Sequence, residues 1–323
     1  MSEAIRVHQP GGAEALRWEA VEVGSPGAGE ARIAQRAVGL NYIDVYHRTG
    51  AYPLPLPFIP GVEGAGVVEE VGEGVNSASV GDRVAYAGSI GGYAEARLID
   101  AGRLVRLPDD IGFDRAAAMM LQGMTARMLL RSVYPVKSGD TILVHAAAGG
   151  VGLILCQWAA AIGARVIGTV SSDSKAELAQ AHGCHHPIVT AKGDFVVETL
   201  RITGGEKLPI VYDSVGKDTF LRSFEVLAPR GMMVSFGQSS GPIESFSPAI
   251  LAQKGSLYLT RPTLFTYIDD PAELQASAAD LFHMVGSGAV KIAINQRFAL
   301  ADAAEAHRAL EARQTTGSTI LTV

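Results

Sequence analysis

Thr141-Ile142-Leu143-Val144-His145-Ala146-Ala147-Ala148-Gly149-Gly150-Val151-Gly152, running on through Leu153–Ile162 to Gly163, decides how this chain folds. The short apolar run at its start reads as a buried strand, the Ala/Gly tract as a tight turn and the apolar segment behind it as a helix. Gly163 then stands where a helix C-cap is wanted. A strand, a glycine turn and a helix in this order make an anion site, because the backbone can approach a pyrophosphate closely and the helix N-terminus faces it. In the G-x-G-x-x-G register the second and third glycines are Gly149 and Gly152, while Ala147 stands at the first. The pattern lacks one glycine, but a second strand, Arg165–Val170, follows the helix as a dinucleotide-binding unit requires. The turn Gly149-Gly150-Val151-Gly152 is therefore where a pyrophosphate is expected, with Gly149 admitting the backbone approach and Gly152 letting the helix lie close on the sheet.

The second strand ends in Thr169-Val170-Ser171-Ser172-Asp173-Ser174-Lys175, about 20 residues beyond the turn, where an NAD site places a carboxylate on the adenosine ribose. Ser171 occupies that position instead. The hydroxyls of Ser171 and Ser172 with the ammonium of Lys175 suit a 2′-phosphate, which favours NADPH over NADH. Asp173 argues the other way, and Ser172-Asp173-Ser174 also reads simply as the N-cap of the next helix.

Working outward, continuous apolar strands alternate with helical segments. The strands are Thr141–Ala146, Arg165–Val170, Pro187–Thr190, Pro209–Asp213, Met232–Phe236 and Leu257–Thr260; the helices are Val151–Ile162, Ser174–His182, Asp194–Thr203 and Asp218–Leu227. This is the pattern of an α/β domain with a Rossmann-type doubly wound parallel sheet. Before it, Ala4–His8, Glu30–Val38, Gly66–Val71, Arg83–Tyr86, Tyr93–Ile99 and Arg103–Leu107 are short runs broken by Gly and Pro, a β-rich unit. After it come helices over Pro271–Gly286 and Ala301–Arg313 and a last strand, Ser318–Val323.

Composition narrows the function. Over 323 residues, 27 basic side chains against 33 acidic ones give a net charge of −6, with 48% hydrophobic residues. Nucleic acid is disfavoured as main partner. Two cysteines, Cys156 and Cys184, exclude a four-thiolate zinc site and argue against a disulfide framework. The apolar stretch Thr141–Val170 is interrupted by Gly149-Gly150, His145, Gln157 and Arg165, so no membrane span is expected. The N-terminus has no signal-like apolar run, and a cytoplasmic location is expected. Buried roles in the core are expected for His145 and for Met119, Met120 and Met124.

The glycine frame Gly61-Val62-Glu63-Gly64-Ala65-Gly66, Gly72, Val75 and Gly81-Asp82-Arg83-Val84 resembles the medium-chain dehydrogenase/reductase superfamily. In the zinc alcohol dehydrogenases of that group a histidine ligand follows the first glycine; here it is Val62, and Asn41 occupies the place of the cysteine ligand. Cys184-His185-His186 lacks a metal-site spacing, so no metal is expected. Without a metal to acidify an alcohol, hydrogen-bond donors suffice for hydride delivery to an electron-poor acceptor. Several stretches look like the zeta-crystallin-like NADPH:quinone oxidoreductase branch: Asn41–Tyr46, Arg48–Pro53, His145–Gly152, Tyr212–Gly216, Val234–Gly241 and Gln253–Leu257 followed by Arg261-Pro262. Ala160 and Thr190 depart from it, at a basic residue and at a frequent adenine-side tyrosine.

The resemblance implies a β-rich GroES-like catalytic domain over 1–124, a Rossmann NADPH-binding domain over 125–262, and a segment over 263–323 returning to the catalytic domain. It implies a nicotinamide in the cleft between the domains near Asn41, Tyr46 and Thr125, with Ser171, Ser172 and Lys175 on the 2′-phosphate. Ser214, Phe236, Gly237, Gln238 and Ser239 would line the cofactor, and Arg313 would reach its phosphate or ribose region. Asn41, Tyr46 and Tyr52 would serve a quinone as oxygen-directed donors or stacking partners. The implied activity is quinone reduction by hydride transfer. Reduction of enone or alkenal double bonds and an NADPH-binding structural or regulatory role stand as alternatives. A homodimer pairing strand Leu257–Thr260 with its copy is implied as well.

Overall fold

Glycine and proline cut the first hundred residues into short strands: β1 (Ser2–Val7), β2 (Leu16–Val21), β3 (Glu30–Leu40), β4 (Glu63–Val71), β5 (Arg83–Ala87), β6 (Ala96–Asp100) and β7 (Val105–Arg106). Helix α1 (Tyr42–Thr49) interrupts them, and α2 (Phe113–Ala117) and α3 (Met120–Arg127) follow. The chain then alternates β8 (Thr141–Val144), α4 (Gly150–Ile162), β9 (Arg165–Val170), α5 (Asp173–Ala181), β10 (His186–Val189), α6 (Phe195–Thr203), β11 (Leu208–Asp213), α7 (Phe220–Ser223), β12 (Leu227–Ser235), α8 (Ala249–Gln253) and β13 (Tyr258–Thr260). It closes with α9 (Leu264–Tyr267), α10 (Pro271–Gly286), β14 (Ile294–Ala299), α11 (Ala303–Glu311) and β15 (Ser318–Thr322).

This computed structural model describes residues 1–323. They form two units: Met1–Met124 with Tyr267–Gly286 and Ile292–Val323, and Thr125–Thr266 with Ser287–Lys291. In the first, a sheet runs β14-β15-β3-β4-β5-β7 with β6 also on β3, and β1 pairs with β2 apart from it. Ile33, Val68, Val84, Tyr86 and Ile99 pack one of its cores. In the second, six strands run β10-β9-β8-β11-β12-β13, all parallel. Leu143, Ile167, Val211, Met233, Phe220 and Phe224 are buried together in its core, as continuous apolar strands covered on both faces require.

Several sequence expectations need correction. Tyr42–Thr49 is a helix inside the segment read as β-rich. Its β-branched and tyrosine content hid it, but the Asp44 carboxyl accepts from the Asn41 N–H (2.9 Å) at one end and Gly50 closes the other at φ +80°. The all-round burial of Ala116–Met120 erased the amphipathic signature of the helices there. Strand Thr141–Ala146 stops at Val144, because Ala146 turns into the left-handed region at φ +54°. The helix expected over Asp218–Leu227 is one turn at Phe220–Ser223 and a 3-10 turn to Val226, and Leu227 already belongs to β12. Only Val105–Arg106 of Arg103–Leu107 is strand. Strands β2 and β14 were not foreseen. In β14, Asn295, Gln296 and Arg297 carry little strand signal, and pairing with β15 decides the outcome.

Candidate active site

Strand order locates the site in the second unit. From β8 the chain proceeds through β9 to β10 on one side, then returns to β11 on the other. The crevice beyond the C-terminal ends of β8 and β11 is thus the switch point at which open α/β sheets take ligands. The glycine turn leaves β8 there. Ala147 N–H donates to the Thr169 carbonyl (3.0 Å), Gly149 N–H to the Ala146 carbonyl (3.0 Å), and α4 begins with Gly149 as an N-cap that lends no side-chain acceptor. The first-turn N–H groups of α4 therefore remain available to an anion.

Gly152 is required by close packing: a Cβ there would lie 2.3 Å from the Ala146 carbonyl oxygen and 2.8 Å from that of Ala147, both rigid backbone. Gly149 is less constrained, since its Cβ would meet only the Ala146 oxygen at 3.3 Å. The methyl of Ala147, the glycine missing from the pattern, is fully buried. A Cβ at Gly168 of β9 would sit 2.6 Å from it, so the extra methyl on the turn fills room that the neighbouring strand leaves. A helix N-terminus with no side-chain cap, set against a turn too tight for a Cβ, is a cradle for a phosphodiester, and these residues fit a dinucleotide.

At the end of β9, Ser171 is exposed and Ser172 caps α5, its Oγ accepting from Lys175 N–H (3.3 Å). The Asp173 carboxylate is held by Lys192, with Nζ 2.7 and 2.6 Å from its two oxygens. Beyond β11, the buried Asp213 carboxylate accepts from Val215 N–H (2.7 Å), Gly216 N–H (3.2 Å) and Thr219 Oγ (2.9 Å), which fixes the loop carrying Ser214. Ser239 N–H donates to the Ser214 carbonyl (3.1 Å), and Arg261 reaches Ser235 Oγ (3.1 Å) and Gln238 Oε1 (2.9 Å). Ser214 and Phe236, Gly237, Gln238 and Ser239 thereby lie side by side past the ends of β11 and β12, all half-buried. Thr125 lies on α3, also half-buried. His145 is a satisfied core imidazole, its ring nitrogens 2.9 Å from Thr169 Oγ1 and 2.9 Å from Ser223 Oγ.

The first unit holds a buried polar network. Asn41 Nδ2 donates to Glu63 Oε1 (2.6 Å), Leu121 N–H donates to Glu63 Oε2 (2.7 Å), and Gln122 Nε2 donates to Asn41 Oδ1 (3.1 Å). Ser318 Oγ in turn donates to Gln122 Oε1 (2.7 Å). Asn41 is thus held on both sides of its amide, with one N–H left to act. From Asp44 a second line runs through Tyr93, whose hydroxyl lies 3.0 Å from Asp44 Oδ2 and 3.1 Å from His307 Nε2, to Arg48 and its two bonds with Glu311 at 2.9 and 2.8 Å. Burial pushes Asp44 up to about 7 and Glu63 up to about 8, against the hydrogen bonds they accept. Burial and the nearby Arg48 guanidinium push His307 down to about 3, so it is neutral.

Beside this network Tyr42, Tyr46 and Tyr52 form a run of rings, with centroids 5.9 Å apart for the first pair and 5.1 Å for the second. Tyr46 and Tyr52 are half-buried, so each offers a ring face or a phenol. Burial raises the Tyr42 phenol, and Arg313, at the end of α11 with φ +60°, partly opposes this from nearby. Sequence reasoning named Asn41, Tyr46 and Tyr52 as candidates but assigned no role to Glu63, Gln122, Asp44, Arg48, Tyr93 or His307. Their partners lie up to 263 positions away, and no local pattern announces them. No group of three or more His, Cys, Asp or Glu side chains is placed to hold a metal ion, and Val62 and Asn41 offer neither thiolate nor imidazole.

The sequence matches the alcohol dehydrogenase GroES-like domain over residues 27–109 and the zinc-binding dehydrogenase family over 150–277. It is 52% identical over 323 residues to quinone oxidoreductase of Pseudomonas aeruginosa, covering 99% of both chains. It is 43% identical over 332 residues to 2-haloacrylate reductase of a Burkholderia species, again covering 99% of both. The crystal structure of Escherichia coli quinone oxidoreductase complexed with NADPH superposes with a TM-score of 0.98 at 44% identity, covering 99% of this chain and 100% of that one.

Proposed function

The chain belongs to the medium-chain dehydrogenase/reductase family, in its quinone oxidoreductase branch, and from that premise we propose that it reduces quinones with NADPH by direct hydride transfer. The reading is carried by the phosphate cradle at the switch point, in a chain 52% identical to a quinone oxidoreductase along 99% of its length. Bound NADPH supplies the hydride. The N-terminus of α4 and Gly152 hold the pyrophosphate, while Ser171, Ser172 and Lys175 hold the 2′-phosphate. Ser214 and the Phe236–Ser239 loop flank the cofactor, and Arg313 serves its phosphate or ribose side.

As hydride reaches a quinone ring, negative charge develops on its oxygen, and donors already aimed there lower the barrier. The remaining N–H of Asn41 is such a donor, oriented by Glu63 and Gln122 rather than by solvent. The Tyr46 and Tyr52 phenols are donors of the same kind, and their ring faces stack on a flat acceptor. We place the protein in the cytoplasm; no helix is long and apolar enough to cross a membrane. We also propose a homodimer: β13 ends the six-stranded sheet and exposes Tyr258 to 58%, an edge that a second copy would cover. Light scattering at micromolar concentration tests this, and a monomer refutes it.

One observation favours a second acceptor class, the 43% identity to a 2-haloacrylate reductase. Anaerobic NADPH consumption with 1,4-benzoquinone, with 2-chloroacrylate and with methyl vinyl ketone separates the two. Turnover confined to the quinone supports the proposal; turnover confined to the activated alkenes replaces it with double-bond reduction.

A further inference from the structure

The end of β10 is tied to the end of β9: Thr190 donates to the Val170 carbonyl through its N–H (2.9 Å) and its hydroxyl (3.1 Å). Lys192 N–H then folds back onto the Val189 carbonyl (2.9 Å), and this turn brings the Lys192 ammonium onto Asp173. Asp173 is the first residue of α5, between the capping Ser172 and Lys175, so a carboxylate stands inside the cluster that would receive a dianion. Unscreened, it would repel a 2′-phosphate and accept from a ribose hydroxyl, which is the arrangement of an NADH site. Lys192 lies within hydrogen-bond distance of both of its oxygens. The side chains of the pair are 66% and 63% exposed, and an ion pair so exposed contributes little to stability, so either partner is exchanged at small cost.

We propose that Lys192 is a second cationic ligand of the cofactor's 2′-phosphate and that the Asp173–Lys192 pair sets the preference for NADPH over NADH. The inference rests on the reading that the adenosine ribose lies at the end of β9. A phosphate dianion offers the ammonium a doubly charged acceptor in place of a singly charged one. Lys192 therefore does two things: it cancels the charge of Asp173 and adds its own charge to that of Lys175. An unneutralised Asp173 would reverse the preference. The side chain comes from the β10–α6 loop, outside the span of the glycine motif, so a search for a charge following the second strand passes over it.

The test is equilibrium binding followed by nicotinamide fluorescence, with NADPH and NADH titrated separately into the full-length wild-type protein and Lys192→Ala, Asp173→Ala, Lys175→Ala and Lys192→Ala/Asp173→Ala variants. Lys192→Ala is expected to weaken NADPH about tenfold, the loss for one charge-assisted bond to an exposed phosphate, and to leave NADH unchanged or tighter. In the Asp173→Ala background Lys192→Ala must still weaken NADPH; no effect there would make Lys192 a neutraliser only and overturn its role as ligand. An unchanged NADPH/NADH ratio in Lys192→Ala, with the ratio collapsing in Lys175→Ala, overturns the inference and leaves the cofactor site standing. A wild-type protein that binds both nucleotides equally, with no response to Lys175→Ala, overturns the cofactor reading itself. Unchanged melting temperatures establish that each variant is folded.

Discussion

Adding one methyl group at Gly152 tests the phosphate cradle most severely. In Gly152→Ala the new Cβ would stand 2.3 Å from the Ala146 carbonyl oxygen and 2.8 Å from that of Ala147. Both are backbone atoms of a turn whose geometry is fixed by the left-handed Ala146 and by the Ala147–Thr169 hydrogen bond, so the helix must yield. Ordinary contact requires the start of α4 to withdraw by about 1 Å, and forcing extra volume into so close a contact costs about 1–3 kcal/mol of folding stability. The same displacement carries the first-turn N–H groups out of hydrogen-bond range of a phosphate. Losing one such charge-assisted bond is worth about 1.5–3 kcal/mol, so NADPH affinity should fall at least tenfold. The control is Gly149→Ala, whose Cβ meets a single oxygen at 3.3 Å from an ordinary φ of −78°; it should retain affinity within a few-fold. Fluorescence titration with NADPH and a thermal melt of each variant read both effects. Wild-type affinity and stability in Gly152→Ala would refute the packing argument, and a larger loss in Gly149→Ala than in Gly152→Ala would assign the close approach to the wrong glycine.

Further outcomes follow from the same structure. Restoring the missing glycine as Ala147→Gly should destabilise by about 1 kcal/mol, one buried methyl, without tightening NADPH; tighter binding would show that the methyl obstructs the site. Glu311→Gln leaves the nearly fully buried Arg48 without its anion and should cost about 1–3 kcal/mol in urea unfolding, whereas no loss would mean that the pair is idle. Tyr46→Phe and Tyr52→Phe keep ring and packing, so if the phenols act as donors each should lower kcat for a quinone more than it alters NADPH affinity; equal kcat would reduce them to stacking surfaces. Asp44 and Glu63 bind protons more tightly folded than unfolded, being pushed to about 7 and about 8. Their contribution is complete below the ordinary carboxylate range and is lost progressively from there as pH rises to about 7 for Asp44 and about 8 for Glu63. His307, pushed down to about 3, behaves oppositely: its contribution is present above the ordinary imidazole value and is lost as pH falls toward 3. Stability should therefore peak near the ordinary carboxylate range, and Glu63→Gln should flatten the fall between about pH 4.5 and about pH 8. An unaltered slope would remove Glu63 from the titrating groups.

What was legible in the sequence is what local chemistry controls. The run from Thr141 to Gly163 announced strand, turn, helix and cap because each feature needs only its neighbours, and all four are present in that order, the strand ending two residues earlier than read. The alternation behind it was enough for the parallel sheet, and the loss of ligand chemistry at Asn41 and Val62 was visible as letters. Helix α1 was hidden because its content suits a strand and its caps, Asn41 with Asp44 and Gly50, lie outside the periodic signal. The orientation of Asn41 depends on Glu63, Gln122 and Ser318, groups that only the packing of α3 on the sheet brings together. Ser172 was read both as a helix cap and as a phosphate ligand; the structure supplies the cap. Asp173 looked like an argument for NADH until the fold placed Lys192 against it. Residue type indicates which chemistry is possible, but partnership decides which is available.

Direct hydride delivery from cofactor to quinone is the central claim, and anaerobic stopped-flow with NADPH deuterated at the nicotinamide C4 position measures it. Mixing protein and labelled cofactor with 1,4-benzoquinone should give one hydroquinone for each NADPH consumed, with oxidation slower for one deuterated face than for the unlabelled cofactor. Tight binding with no oxidation by any quinone, or oxidation indifferent to label on either face, would contradict it.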